Sequence, residues 1–223
     1  LLPAMGKPAS WRLGLINYLA DSDGIARHSG LTAEPHPGWR IASLPIQLAQ
    51  SQGIDVQGIP DTLRLLYIGV PGRSPYRTHS YADLWLRVQK GERLPELSGK
   101  TVFVGSTASG LHDLRPTPLG AQYPALYLLA NAYDNVKHRA WLHHQTWYGL
   151  AVGLPLLLVL YRALSVKRSL LRTALLGLLL GVLLVAGSVL AMRFRLLIPV
   201  VTPLAAMLVL LAIATADRYR QEK

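Results

Sequence analysis

The pattern of apolar and polar positions changes character near residue 145. Before it, apolar runs are short and broken by Gly, Pro and charge. "RLGLINYLADSDGIARHSGL", Arg12 to Leu31, reads as two strands around Asp23-Gly24, a dipeptide that closes hairpins because Gly accepts positive φ. "RIASLPIQLAQSQG" has helical spacing and stops at Gly53. "TLRLLYIGVPG" reads as a strand running into a loop. "SYADLWLRVQKGE" reads as a helix with Ser80 as N-cap, Leu84, Leu86 and Val88 as apolar positions and Gly91 as its stop. Thr101–Val104 reads as a further strand. "YPALYLLANAYDNVKHRAW" reads as a strongly apolar helix leading almost directly into the segment beyond it. Strands alternating with helices in this order predict an α/β domain with one principal sheet over residues 1–145.

Beyond residue 145 the polar half of the pattern disappears. Gln145–Tyr161, Thr173–Met192 and Leu196–Ala216, of 17, 20 and 21 residues, hold no Asp, Glu, Lys, Arg or His. A helix rising about 1.5 Å per residue needs about 20 residues to cross about 30 Å of hydrocarbon. The second and third windows meet that outright. The first does so if Ala163 and Leu164 extend it while Arg162 snorkels. Trp147, Tyr148 and Tyr161 lie at its ends as an aromatic belt would. The expectation is an all-α bundle of three membrane helices, about 146–164, 173–192 and 196–216, with 217–223 as the start of a tail. A buried helical hairpin of a soluble core is the alternative, and three such windows in 78 residues exceed what a soluble core holds.

Charge turns this into topology. Residues 1–145 hold ten of the twelve acidic residues and net +4; residues 146–223 carry +7. The basic excess sits between apolar segments, which directs it to membrane orientation rather than nucleic acid. The 162–172 loop has four cations and the 217–223 tail three, against two in "RFR" plus Lys137 and Arg139. Seven against four puts the 162–172 loop and the C-terminus inside, and residues 1–145 outside the cytoplasm. The chain opens Leu-Leu-Pro without an initiator Met or signal peptide, so an N-terminal part is expected to be missing.

Candidate chemistry is sparse. With no Cys, disulfides, thiol catalysis and Cys-based metal sites are excluded. Asp21 and Asp23 resemble the start of a calcium loop, but the later ligands are absent, and a turn is the stronger reading. "GKTVFVGSTASGLHDLRPTPLG" raises a sharper question. Gly105 and Gly110 have the first half of a Walker A spacing, yet Leu111 and His112 stand where Lys and Ser/Thr should follow. Ser106 and Ser109 lack the flanking glycines of a nucleophile elbow. Ser109, His112 and Asp113 are too close in sequence for an ordinary triad. Two readings stay open: a structural turn, or a ligand-contacting loop made of Gly105, Ser106, Thr107, Ser109, Gly110, His112, Asp113 and Arg115. No catalytic set, cofactor or metal is expected. Gly149, Gly153, Gly177 and Gly181 have the spacing that lets membrane helices pack closely, within the bundle, in a dimer, or by chance. Pro155, Pro199 and Pro203 are expected to bend their helices, and the few polar groups in the spans, Ser188 and Thr202, argue against a transport path.

At these residues the chain resembles the type-two CHASE domain, an extracellular sensory domain associated with cyclases and histidine kinases. The resemblance is carried by Gly105, Thr107, Ala108, Gly110, Leu111, Asp113, Thr117 and Pro118, by Ala130-Asn131, by Asn17, Asp21, Asp23, Gly24 and Arg27, and by "HSYADLW". It covers about residues 10–145, and three following spans extend it. The chain departs from the family at Pro124–Leu129, where Ala125, Tyr127 and Leu129 replace a Gly, a Glu and a His. The resemblance implies the input module of a signalling receptor: a homodimer in the plasma membrane, sensing an extracytoplasmic ligand and relaying to a cytoplasmic kinase or cyclase domain or partner. The competing reading is a transporter or channel accessory protein, or a membrane scaffold protein, with a periplasmic α/β domain.

Overall fold

A computed structural model of the protein describes residues 14–16, 18–34, 36–70, 73, 75–106, 113–165 and 170–221. The chain divides into two units, Leu1–Trp141 and Leu142–Lys223.

The first unit is mixed α/β. Strands β1 (His28–Gly30), β2 (Thr32–Ala33) and β3 (Ile41–Ala42) lead to helix α1 (Leu44–Ser51) and strand β4 (Thr62–Leu65). Helix α2 (Tyr81–Gln89), strands β5 (Leu114–Thr117) and β6 (Gly120–Pro124) and helix α3 (Ala125–Lys137) follow. Each of β1–β4, β2–β3 and β5–β6 is an antiparallel ladder. The extended backbone is thus distributed over short ladders, because turn residues cut the extended runs to between two and five residues.

Asp23-Gly24 makes the expected turn. Gly24 has φ +79, and the amide of Asp21 donates to the carbonyl of Ile25 at 3.0 Å. Only one arm is a full strand; the other meets it at the single Leu19–His28 bridge. α1 stops as its sequence predicts. Gly53 takes φ +73, its amide donates to Gln50 at 3.0 Å, and the amide of Ile54 reaches Ala49 at 3.0 Å. Those two bonds satisfy carbonyls that a helix end otherwise leaves open.

α3 organises the core. Leu128, Asn131, Ala132, Asn135 and Val136 are all buried and fall at i, i+3, i+4, i+7 and i+8, one helical face. Its apolar members serve two clusters. Val136 and Tyr133 pack with Leu31, Ile46, Ala49 and Leu63. Leu128 and Ala132 pack with Ala26, Leu65 and Tyr123. Leu63 and Leu65 of β4 point to the same side, two residues apart, and so join one cluster each.

Three expectations need correction in this unit. Thr101–Val104 forms no ladder: Phe103 instead lays its ring 5.9 Å from that of Tyr133, and the Thr101 hydroxyl accepts from Gln52 Nε2 at 2.9 Å. Side-chain anchors hold the segment where a strand partner was expected. α2 has its Ser80 cap, with the Asp83 amide 3.4 Å from the Ser80 hydroxyl, but none of its residues is buried. Leu86 and Val88 are exposed with Tyr81 and Trp85; Tyr81, Leu84, Trp85 and Val88 do fall on one helical face, but no element of the described unit covers it. Finally, α3 does not run on into the next helix. A turn with Arg139 at φ +47 and strand β7 (Trp141–His144) intervene.

The second unit holds helices α4 (Thr146–Ser165), α5 (Leu170–Met192) and α6 (Val201–Gln221) and strand β8 (Leu196–Leu197). Trp147–Ser165 and Leu171–Met192 are long and apolar enough to cross a membrane; the apolar part of α6, Val201–Asp217, is shorter. The window beginning at Leu196 therefore does not start as a helix. Leu196 and Leu197 pair in parallel with His143 and His144, after a turn in which Arg195 has φ +60 and accepts from the His143 amide at 2.7 Å. Of the three prolines, Pro155 sits in the interior of a helix. Pro199 precedes α6 and Pro203 is in its first turn, where no intrahelical bond is lost. The Ser188 hydroxyl is taken up by the carbonyl of Ile198 at 3.3 Å.

The helices touch through glycine. A Cβ at Gly149 would stand 2.8 Å from the carbonyl oxygen of Pro199, and one at Gly153 would stand 2.6 Å from Cβ of Pro203. At Gly177 it would meet Leu211 at 2.8 Å, whereas at Gly181 it would find an ordinary contact with Leu204 at 3.4 Å.

Candidate functional site

The loop after Val104 begins and ends over the first turn of α3. A Cβ on Gly105 would come within 2.9 Å of Leu126, so the missing side chain allows a close approach there. At the far end the carbonyl of Asp113 accepts from the Ala125 amide at 2.9 Å. Gly105, Ser106, Asp113 and Arg115 are thus placed, and Ser106 is exposed. Thr107, Ser109, Gly110 and His112 lie outside the described residues.

Beyond Asp113 the chain enters the β5–β6 hairpin, where Leu114 pairs with Pro124 and Arg115 with Tyr123. The tight Pro118-Leu119 turn is held by Thr117, whose hydroxyl accepts from the Leu119 amide at 3.3 Å. Directly opposed residues send their side chains to the same face, about 5 Å apart at Cβ. Arg115 and Tyr123 therefore share a face, and tyrosines crowd it. The Arg115 guanidinium lies 4.8 Å from the centre of the Tyr18 ring. The rings of Tyr67 and Tyr127 stand 6.0 Å and 5.9 Å from Tyr123, both edge-on.

The polar atoms of this face are unevenly served. Tyr67 donates its hydroxyl to the carbonyl of Ala26 at 2.6 Å. Nη2 of Arg115 lies 3.9 Å from an Asp113 carboxylate oxygen. Among the described residues, the Tyr123 hydroxyl and the Arg115 Nε are buried with no hydrogen-bond partner. Burial pushes the Tyr123 phenol up to about 12, and the neighbouring Tyr127 adds to it. At neutral pH the group is a protonated donor.

The hairpin turn at Asp23 is, by contrast, fully paired. Arg27 donates to Asp21 at 2.7 Å and to both oxygens of Asp23, at 2.9 and 2.8 Å, and His28 Nδ1 is 2.7 Å from Asp21. The hydrogen bonds from Arg27 and the amide of Ile25 hold the Asp23 carboxyl down at about 2. At Asp21, burial opposes ionisation, but Arg27 and His28 outweigh it and the carboxyl is lowered. Both carboxylates are engaged by the Arg27 guanidinium. Among the described residues no three His, Asp or Glu gather as a metal site.

A further buried polar pair joins Asn131, already part of the family resemblance, to Asn135, which the sequence reading did not single out. Asn131 and Asn135, buried one turn apart on α3, bond the backbone just after β4. Asn135 Oδ1 accepts from the Leu66 amide at 2.8 Å, and Asn131 Oδ1 from the Ile68 amide at 3.1 Å. Both side-chain amides donate to the carbonyl of Leu66, at 3.2 and 3.0 Å. The two side chains do for residues 66–68 what a neighbouring strand would do. The signal available in sequence was two Asn residues on an otherwise apolar face, at i and i+4.

The α/β unit is followed in the chain by two helices long and apolar enough to cross a membrane. The chain belongs to the CHASE2 domain family, which it matches over residues 3–165. That match runs through the whole of α4 and ends at Ser165, its last residue. It carries a sensory role, since CHASE2 is an extracellular sensory domain of signalling receptors. Neither the curated proteins nor the solved structures compared with the chain yield a match.

Proposed function

We propose that this chain is the sensory input and membrane-spanning module of a transmembrane receptor. Residues 1–145 face away from the cytoplasm and respond to an extracytoplasmic ligand. The helices α4, α5 and α6 all cross the plasma membrane and relay the response to a cytoplasmic kinase or nucleotide cyclase, carried outside these 223 residues or on a partner. The receptor works as a homodimer, and these residues sense without catalysing.

The observation that carries this reading is the CHASE2 match running without a break into an apolar helix. Charge supports the orientation, with four cations in the 162–172 loop and three in the tail. Leu178, Val182, Val201 and Leu208 are exposed on the helices, as lipid-facing side chains would be. The transporter reading gains nothing, since Thr173–Met192 holds no ionisable group.

The test is enzymatic. Membranes carrying the full-length gene product are assayed for kinase autophosphorylation and for adenylate, guanylate and diguanylate cyclase activity. One such activity, in the protein or in a partner recovered with it, is the expected outcome. None in either overturns the receptor reading.

A further inference from the structure

We propose that the face made by Arg115 and Tyr123 binds the carboxylate of a small aromatic acid. The proposal deepens the sensory reading above by naming the chemistry of its ligand, and it rests on that reading.

The argument starts from the unserved donors. Tyr123 is 7% exposed, and among the described residues neither its hydroxyl nor Arg115 Nε has a hydrogen-bond partner. Leaving a buried donor unsatisfied costs roughly 1–3 kcal/mol, and more for a charged group. Two such donors at opposed positions of one hairpin concentrate that cost in one place. Neighbouring donors are already engaged, since Tyr67 binds the Ala26 carbonyl and Arg27 binds Asp21 and Asp23. The Tyr123 hydroxyl and Arg115 Nε are both donors, so what they lack is an acceptor with at least two lone pairs, preferably charged.

The surroundings narrow the acceptor. Arg115 is about one-third exposed (36% of its side chain), so a ligand can enter from the solvent side by swinging the guanidinium off Tyr18. Asp113 stands 3.9 Å from Nη2 and adds a negative charge, which disfavours a dianion such as phosphate against a singly charged carboxylate. Tyr18, Tyr67 and Tyr127 are only partly buried where they pack beside Tyr123, so ring surface remains near this face that suits an aromatic body on the acid. The bound carboxylate takes one bond from Nε and one from the Tyr123 hydroxyl. No covalent step is involved.

The experiment uses the whole chain in detergent or nanodiscs, with benzoate as probe and acetate and inorganic phosphate as comparisons. Thermal unfolding and calorimetric titration are read for the natural sequence, Tyr123→Phe and Arg115→Gln. Tyr123→Phe keeps the ring and deletes only an unbonded hydroxyl, so without ligand its Tm stays equal or rises. Benzoate is expected to raise the Tm of the natural sequence, to bind more tightly than acetate or phosphate, and to lose about tenfold in affinity in each variant. Absence of benzoate binding means that water serves the donors, and overturns the proposal. Binding that Tyr123→Phe leaves unchanged, or tighter binding of phosphate, overturns it as well. Each of these results leaves the sensory reading standing, because kinase or cyclase output is measured independently of benzoate; absence of output leaves the titration interpretable.

Discussion

The two units hold together by different means. In the first, polar side chains tie segments together: Asn131 and Asn135 bond the backbone of residues 66–68, Gln52 holds the Thr101 hydroxyl, and Arg27 gathers Asp21 and Asp23. In the second, helix contacts are made where side chains are absent, at Gly149 and Gly153 against Pro199 and Pro203. The membrane placement proposed for the second unit accounts for the difference. Short strands in water leave amides to be satisfied one at a time, and a buried amide without a partner is costly. Helices in lipid have satisfied their own backbone, so association depends on how closely their surfaces approach.

The contrast can be broken from either side. The largest effect is expected from Asn131→Ala combined with Asn135→Ala. Each deletion leaves a backbone amide without its acceptor and costs roughly 1–3 kcal/mol, a large share of a small domain's stability. The double variant should lose the cooperative tyrosine-fluorescence transition of the first unit while the helical circular dichroism of α4–α6 persists. Next comes Gly153→Val. Its Cβ has 2.6 Å to Pro203, so α4 and α6 must separate, at roughly 1–3 kcal/mol. Spin labels placed on α4 and α6 should report a longer distance, with the first unit's unfolding unchanged.

The smallest effect sharpens the comparison by pH. The Asp23 carboxyl is lowered from 3.8 to about 2, so its folded form binds protons less readily than its unfolded form. The hairpin contribution is complete above about pH 4 and is lost as pH falls toward about 2. Arg27→Gln should remove that acid-labile part, seen as a flatter Tm profile between those pH values. The Gly153→Val defect should show no such dependence, since no ionisable group takes part in it.

Much of this architecture was readable from local chemistry. Gly24 and Gly53 need positive φ and Ser80 caps a helix, and each signal depends only on nearby residues. The apolar windows of α4 and α5 are equally local. What failed needed knowledge of a partner. Thr101–Val104 has strand-like residues, but a strand exists only if another lies beside it, and Phe103 and Thr101 are held by side chains instead. Leu196 and Leu197 look helical inside a charge-free window, yet His143 and His144 recruit them into β8. Of the candidate loop, Asp113 and Arg115 lie 3.9 Å apart, a pairing that the sequence reading did not make. It had no means of showing that Arg115 would face Tyr123, because register between strands is set by the hairpin as a whole.

The central claim is that the α/β unit senses outside the cytoplasm while the C-terminal end reports inside. Alkaline-phosphatase fusions joined after His144 and after Lys223 test it most directly, since the enzyme matures only outside the cytoplasm. The account predicts activity from the His144 fusion and none from the Lys223 fusion. Activity at Lys223 without activity at His144 would contradict it.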